Sequence, residues 1–129
     1  MTSDYLDDFF APGGALSRAH PGYEPRAGQV KMARAVDRAI SSGSSLLVEA
    51  GTGVGKTLAY LVPAIHHAAL TGTNVLVVTA NIALQEQLIR KDLPLLRRVL
   101  PDPFTFALVK GWTHYLCLDK LDGVMGGYV

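Results

Sequence analysis

The apolar positions of the chain alternate between two kinds of pattern. Three runs are short and almost continuously apolar: Leu46–Glu49, Val75–Thr79 and Phe104–Val109. They read as buried strands of a parallel sheet. Between them the apolar period is helical. Over Ala27–Ser42, Val30, Ala33, Val36 and Ile40 share one face, Lys31, Arg34 and Arg38 share the other, and Gly43 stops the helix. Lys56–Leu70 is apolar nearly all round, and Pro63 inside it predicts a kink or local break. Ile82–Lys91 predicts a helix with Leu84, Leu88 and Ile89 inward, Pro94 interrupts, and Leu95–Leu100 is a further short helix. The order β-α-β-α-β predicts an α/β fold, a parallel sheet of about three strands with flanking helices and right-handed crossovers. Residues 1–25, broken by Pro12-Gly13-Gly14 and Pro21-Gly22, read as an irregular lead-in; Leu6, Phe9 and Phe10 can form one short apolar face, but a loosely packed arm over residues 1–20 is the stronger expectation.

The chemistry concentrates where the first run meets the second helix. Ala50-Gly51-Thr52-Gly53-Val54-Gly55-Lys56-Thr57 follows the phosphate-loop pattern G-x-x-x-x-G-K-[ST], with Ala50 in the first place. Glycines 51, 53 and 55 allow the backbone angles and close approach of a phosphate cradle. The start of the helix adds N–H donors and positive potential. Lys56 is expected to reach the β- and γ-phosphates, and the Thr57 hydroxyl to hold Mg²⁺. In a parallel sheet, ligands bind at the carboxyl ends of the strands, where Ala50–Thr57, Thr79–Asn81 and Lys110–His114 would lie. Arg26 and Gln29 open the preceding helix, and a glutamine amide matches the N6/N7 edge of adenine.

Composition narrows the class. The chain has 129 residues, 49% hydrophobic and 18% charged, enough for one globular domain. Its net charge is +1; setting aside the acidic start with Asp4, Asp7 and Asp8 adds three and leaves a mildly basic body of +4. A single cysteine, Cys117, excludes an internal disulfide and suits a reducing compartment. No apolar run reaches membrane-spanning length and the acidic N-terminus is unlike a signal peptide, so a cytoplasmic protein is expected.

Two parts of an ATP-hydrolysing site are missing. Hydrolysis on this fold needs a further acidic residue at a strand end to hold Mg²⁺, but the later runs lead into Thr79 and Lys110. A sheet of three strands also leaves its edges uncovered. With the trailing Gly123–Val129, this suggests the front of a longer protein, or a gene remnant.

Several residues in series then coincide with one family. The chain resembles the N-terminal part of DinG-like helicases, relatives of the XPD helicases in superfamily 2. Phe9–Leu16 and Pro21–Glu24 look like that family's opening, and Arg26-x-x-Gln29-x-x-Met32 resembles its adenine-sensing motif. Glu49–Thr57 matches helicase motif I. Val78–Leu88 resembles motif Ia, which implies DNA-backbone contacts by Thr79, Ala80, Asn81 and Gln85. Val109–Cys117 looks like the start of an iron–sulfur domain, with Cys117 as the first of four cluster cysteines and Trp112 and His114 replacing the usual Arg and Asn.

The resemblance implies a P-loop NTPase with an incomplete RecA-like sheet. Residues 1–25 would be the lead-in, 26–111 a partial ATP-binding motor domain, and 112–129 the start of a truncated iron–sulfur domain. It implies ATP-driven 5′→3′ unwinding of single-stranded or forked DNA, in repair or replication, with ATP, Mg²⁺ and a [4Fe–4S] cluster. The other three cysteines and the second motor domain are absent from this chain, so the isolated chain is expected neither to build the cluster nor to unwind DNA. The alternatives are a non-catalytic nucleotide-binding remnant and a P-loop ATPase or kinase of another class. Trp112 and Tyr115 suit either base stacking or packing against the sheet.

Overall fold

The structure, a computed structural model, describes residues 4–51 and 55–126. Its central helices follow the sequence closely, with additions toward both ends. α1 (Asp4–Phe10) and α2 (Ala15–Ala19) form where a loose arm was expected. Leu6, Phe9, Phe10 and Leu16 from these helices are buried in the main core beside Ala33, Val62 and Leu96. Burial of four large apolar side chains, each worth about 1.5–3 kcal/mol, offsets the entropy of ordering this short segment. Gly14 lets α2 fold back on α1, because a Cβ there would meet the carbonyl oxygen of Asp8 at 2.3 Å.

α3 (Ala27–Ser42) and α4 (Lys56–Thr71) make the most extensive helix pair, and α1 packs across α3. α3 ends at Gly43 in the left-handed region, as its sequence predicts. Its most buried row is Gln29, Ala33 and Asp37, at i, i+4 and i+8, rather than Val30, Val36 and Ile40, which are half-buried. The shift is possible because both polar members of the row have partners. Gln29 is bonded to the loop before α4, and Asp37 accepts a 2.8 Å hydrogen bond from the Tyr5 hydroxyl of α1. Burial and the Asp37 carboxylate together push the Tyr5 hydroxyl pKa upward, so it stays a donor. The Tyr5 ring also stacks on His66 of α4, which pairs with Asp102 at 3.1 Å.

Both prolines are absorbed without a break. α4 runs through Pro63, whose ring is buried in the core. The segment before Pro94 is one rod of three parts: α5 (Ile82–Gln87), a π-helical turn (Leu88–Asp92) and α6 (Leu93–Val99). A proline lacks an N–H and crowds the carbonyl four residues back, so widening the preceding turn relieves Pro94 and keeps the rod continuous. A 3₁₀ turn (Trp112–His114) and α7 (Leu118–Gly126) complete the described chain.

The expected parallel sheet is not present: the described residues contain no strand. Over Phe104–Lys110 half-buried and exposed positions alternate with a period of two, and so does the exposure of Val75–Val78. These runs thus have the local pattern of strands, but strand pairing requires a second backbone in register at about 4.8 Å. Instead, 74–79 and 103–109 line a cavity of about 640 Å³ whose other wall is α4 and the α5 rod, including Leu61, Ile65 and Leu88. Leu47, Leu76 and Val78 remain exposed. β-Branched apolar composition specifies the local pattern; the ladder is a non-local property that it does not supply.

Two outcomes test this packing. Phe10→Ala is expected to lower unfolding stability by about 3–5 kcal/mol in urea titration, whereas a loose arm would register within about 0.5 kcal/mol. Asp92, at the end of the π turn, has its carboxyl pKa raised, chiefly by burial, against the lowering effects of Gln87 and Lys91. The folded state therefore holds this proton to higher pH than the unfolded chain. The stability it contributes is full below the ordinary carboxylate pKa and is lost as pH rises through the raised one. Asp92→Asn should raise Tm at pH 7, with the gain vanishing at pH values below the ordinary carboxylate range.

Candidate functional site

The phosphate-loop segment lies where α3 meets the start of α4. Gly55 precedes the first residue of α4 with φ +78°, a left-handed conformation that favours glycine. A Cβ at Gly55 would also lie 2.3 Å from Nε2 of Gln29, so any other residue here would displace that amide. Gln29 is 3% exposed, and its Nε2 donates to the Gly55 carbonyl at 3.1 Å. Its Oε1 accepts from the Tyr23 hydroxyl at 2.7 Å. The amide expected to meet an adenine edge is thus bonded within the protein, to the Gly55 carbonyl and the Tyr23 hydroxyl. Thr52, Gly53 and Val54, predicted as loop members, lie outside the described residues.

The first turn of α4 has no side-chain cap and no acidic residue. Its N–H groups and helix dipole therefore face the loop without a competing carboxylate. Lys56 is exposed and its Nζ donates to the Ala50 carbonyl at 3.1 Å. That bond turns the ammonium back to the residue that opens the loop, and a phosphate oxygen would make the stronger, charge-assisted acceptor. Thr57 is half-buried one residue further along α4. Tyr60, one turn on, has its hydroxyl pKa pushed up mainly by burial, with Thr57 opposing.

Arg26 does not join Gln29 at the loop. It lines a separate cavity of about 230 Å³ with Asp7, Phe10, Pro12 and Pro25. Thr79, Asn81 and Gln85 do come together. The Thr79 hydroxyl accepts from the Asn81 N–H at 3.1 Å, Asn81 Oδ1 caps α5 by accepting from Leu84 N–H at 3.2 Å, and Gln85 Nε2 donates to the Thr79 carbonyl at 3.4 Å. Ala80 is exposed between them. Lys110 approaches the same rod, with its Nζ 3.7 Å from Glu86 and its backbone N–H donating to the Tyr115 hydroxyl. Cys117 is an exposed free thiol, and Trp112 is 89% exposed, so neither packs into a core. Among the described residues no group of three or more His, Cys, Asp and Glu side chains could hold a metal ion.

Three of the bonded side chains, Tyr23, Tyr5 and Asp37, carry no motif or spacing that marks their bonds in the sequence. A charge in the buried row of α3 is the signal that a partner must exist, since an unpaired buried carboxylate is costly.

The model of the DEAD/DEAH box helicase family matches residues 31–99. Over 117 residues the chain is 46% identical to the ATP-dependent DNA helicase YoaA of Escherichia coli, covering 91% of this chain and 18% of that protein. It is 50% identical over 111 residues to the ATP-dependent helicase DinG of Mycobacterium tuberculosis, covering 83% and 17%. It is 43% identical over 111 residues to the 3′-5′ exonuclease DinG of Bacillus subtilis, covering 86% and 12%. The chain thus spans less than a fifth of the length of these relatives. Because the family match takes in α3 from Lys31 onward, all of α4 and the whole α5 rod, more than half of the sequence, the chain belongs to the DEAD/DEAH box helicase family.

Proposed function

We propose that this chain is the nucleotide-binding part of an ATP-dependent DNA helicase of the DinG type. The observation that carries this reading is the start of α4, where Gly55 turns left-handed, Lys56 curls back to Ala50, and the uncapped first turn opens toward the loop. Triphosphate would replace the Ala50 carbonyl as the partner of Lys56. The α4 N–H groups would share its negative charge, and the Thr57 hydroxyl would be one ligand of Mg²⁺. Thr52, Gly53 and Val54 would supply further backbone donors, with Ala50 and Gly51 at the loop's entrance. Arg26, with an apolar-walled cavity beside it, is the side chain best placed to meet the base.

Thr79, Ala80, Asn81 and Gln85 would meet the sugar–phosphate backbone of single-stranded or forked DNA. Their mutual bonds hold the turn before α5, and exposed Ala80 leaves its backbone open to a phosphate. The same resemblance supports movement in the 5′→3′ direction and service in DNA repair or replication, and the single cysteine and acidic N-terminus support residence in the cytoplasm. An iron–sulfur cluster does not fit this chain by itself, because Cys117 is its single thiol and four are needed. The chain contributes binding rather than a complete hydrolytic site, since the later extended runs lead into Thr79 and Lys110 and not into a carboxylate.

Lys56→Ala is the direct test. Lys56 is exposed and its one bond is to a carbonyl, so folding should be unchanged while Mg·ATP affinity falls at least about tenfold by calorimetry, the scale of one lost charge-assisted contact. An unchanged affinity would refute the phosphate-loop role. In the complete protein, single-stranded DNA should accelerate ATP turnover; indifference to DNA would leave nucleotide binding and remove the helicase reading.

A further inference from the structure

We infer that Tyr23 is a positioning residue for triphosphate binding, acting through Gln29 on the phosphate loop. The inference rests on the nucleotide-binding reading above. Gly55 presents a carbonyl, which only accepts, so the Gln29 group facing it at 3.1 Å is the NH₂. This leaves Oε1 facing Tyr23, whose hydroxyl donates to it at 2.7 Å and lies 3.3 Å from the Phe10 carbonyl oxygen. The Gly55 carbonyl selects this orientation of the amide, and the tyrosine hydroxyl holds it there by donating to Oε1. Flipped by 180°, the amide would set Oε1 against the Gly55 carbonyl, two acceptors in contact with no proton between them.

The arrangement is buried and tight. Gln29 is 3% exposed, and a Cβ at Gly55 would overlap its amide, so the loop residue and the amide have no slack between them. Burial raises the Tyr23 hydroxyl pKa, against a smaller opposing effect of Arg26, so the donor keeps its proton across the neutral range. Through Phe10 and Gln29 the tyrosine joins the α1 core to the residue that immediately precedes Lys56. Gln29 has then committed a donor to the loop and an acceptor to Tyr23. Its effect on binding is to hold Gly55, and with it the direction of the first α4 N–H groups and of Lys56. That effect does not depend on which base the nucleotide carries.

The test compares Tyr23→Phe, Gln29→Ala and the double variant in the purified protein. Affinities are measured for Mg·ATP, Mg·GTP and Mg·tripolyphosphate, and backbone hydrogen exchange is followed in a peptide spanning residues 50–58. Tyr23→Phe keeps the ring and its packing, so Tm should fall little. The expected result is a weakening of about three- to tenfold for all three ligands alike, the scale of one hydrogen bond. Faster exchange in the loop peptide should accompany it. The double variant should bind no more weakly than Gln29→Ala, because the tyrosine acts only through the amide. Loss confined to Mg·ATP would make Gln29 a reader of the base and overturn the inference, as would additive effects of the two substitutions or unchanged affinity in Tyr23→Phe. If Lys56→Ala abolishes binding while Tyr23→Phe leaves it intact, nucleotide binding stands and the tyrosine role falls. A wild-type protein that binds none of the three ligands overturns both.

Discussion

A neutral amide buried between two helices is the constraint on which this structure turns. Gln29 sits in the inward row of α3, where an unpaired polar side chain would cost about 1–3 kcal/mol. It is satisfied only if α3 lies against the glycine that opens α4 and if Tyr23 comes down from the preceding segment. One side chain thus fixes the register of the main helix pair, the path of the chain before α3 and the geometry at the head of the candidate site. Asp37, two turns further along the same row, repeats the logic with Tyr5 of α1. Between these polar contacts the apolar side chains of α1 and α2 fill the remaining volume.

The distribution of polar contacts separates stability from function. Tyr5, Asp37, His66 and Asp102 bind α1, α3, α4 and the segment after α6 to one another on one side of the bundle. Tyr23, Gln29, Gly55 and Lys56 gather at the other end of α3, where α4 begins. The α5 rod, with Asn81 as its cap and a π turn at its middle, joins the common core through Leu88 and Leu96 and carries the cluster proposed to meet DNA. Similarity to relatives named as helicases and as an exonuclease covers nearly all of these elements but under a fifth of those proteins.

Local periodicity made the helices legible. Ala27–Ser42 ends where its glycine requires, α4 starts at Lys56, and the rod after Asn81 starts at its cap. The loop spacing around Gly55 and Lys56 was legible too, because a backbone needing a left-handed residue before a helix leaves a glycine behind. Less visible was the weight of the first twenty residues. Proline and glycine mark breaks in Asp4–Ala19, and the helical spacing of Leu6, Phe9 and Phe10 does not reveal that they share a core with Ala33, Val62 and Leu96 far along the chain. Pro94 signalled an interruption, and the chain instead widened one turn to pass it.

What the sequence by itself determined, then, is each element's local preference and the chemistry at its ends: helix spans, the glycine hinge, the lysine and threonine behind it, and three apolar runs of extended pattern. Tertiary structure alone decided that Gln29 faces Gly55 rather than solvent, that Tyr23 bonds it, that Asp37 is buried, and that the extended runs border a cavity instead of pairing. The division has a physical cause. Helical hydrogen bonds close within four residues, so the sequence nearby suffices to specify them, whereas ladders, buried amides and core neighbours join residues far apart in the chain and exist only once the packing that brings them together has formed.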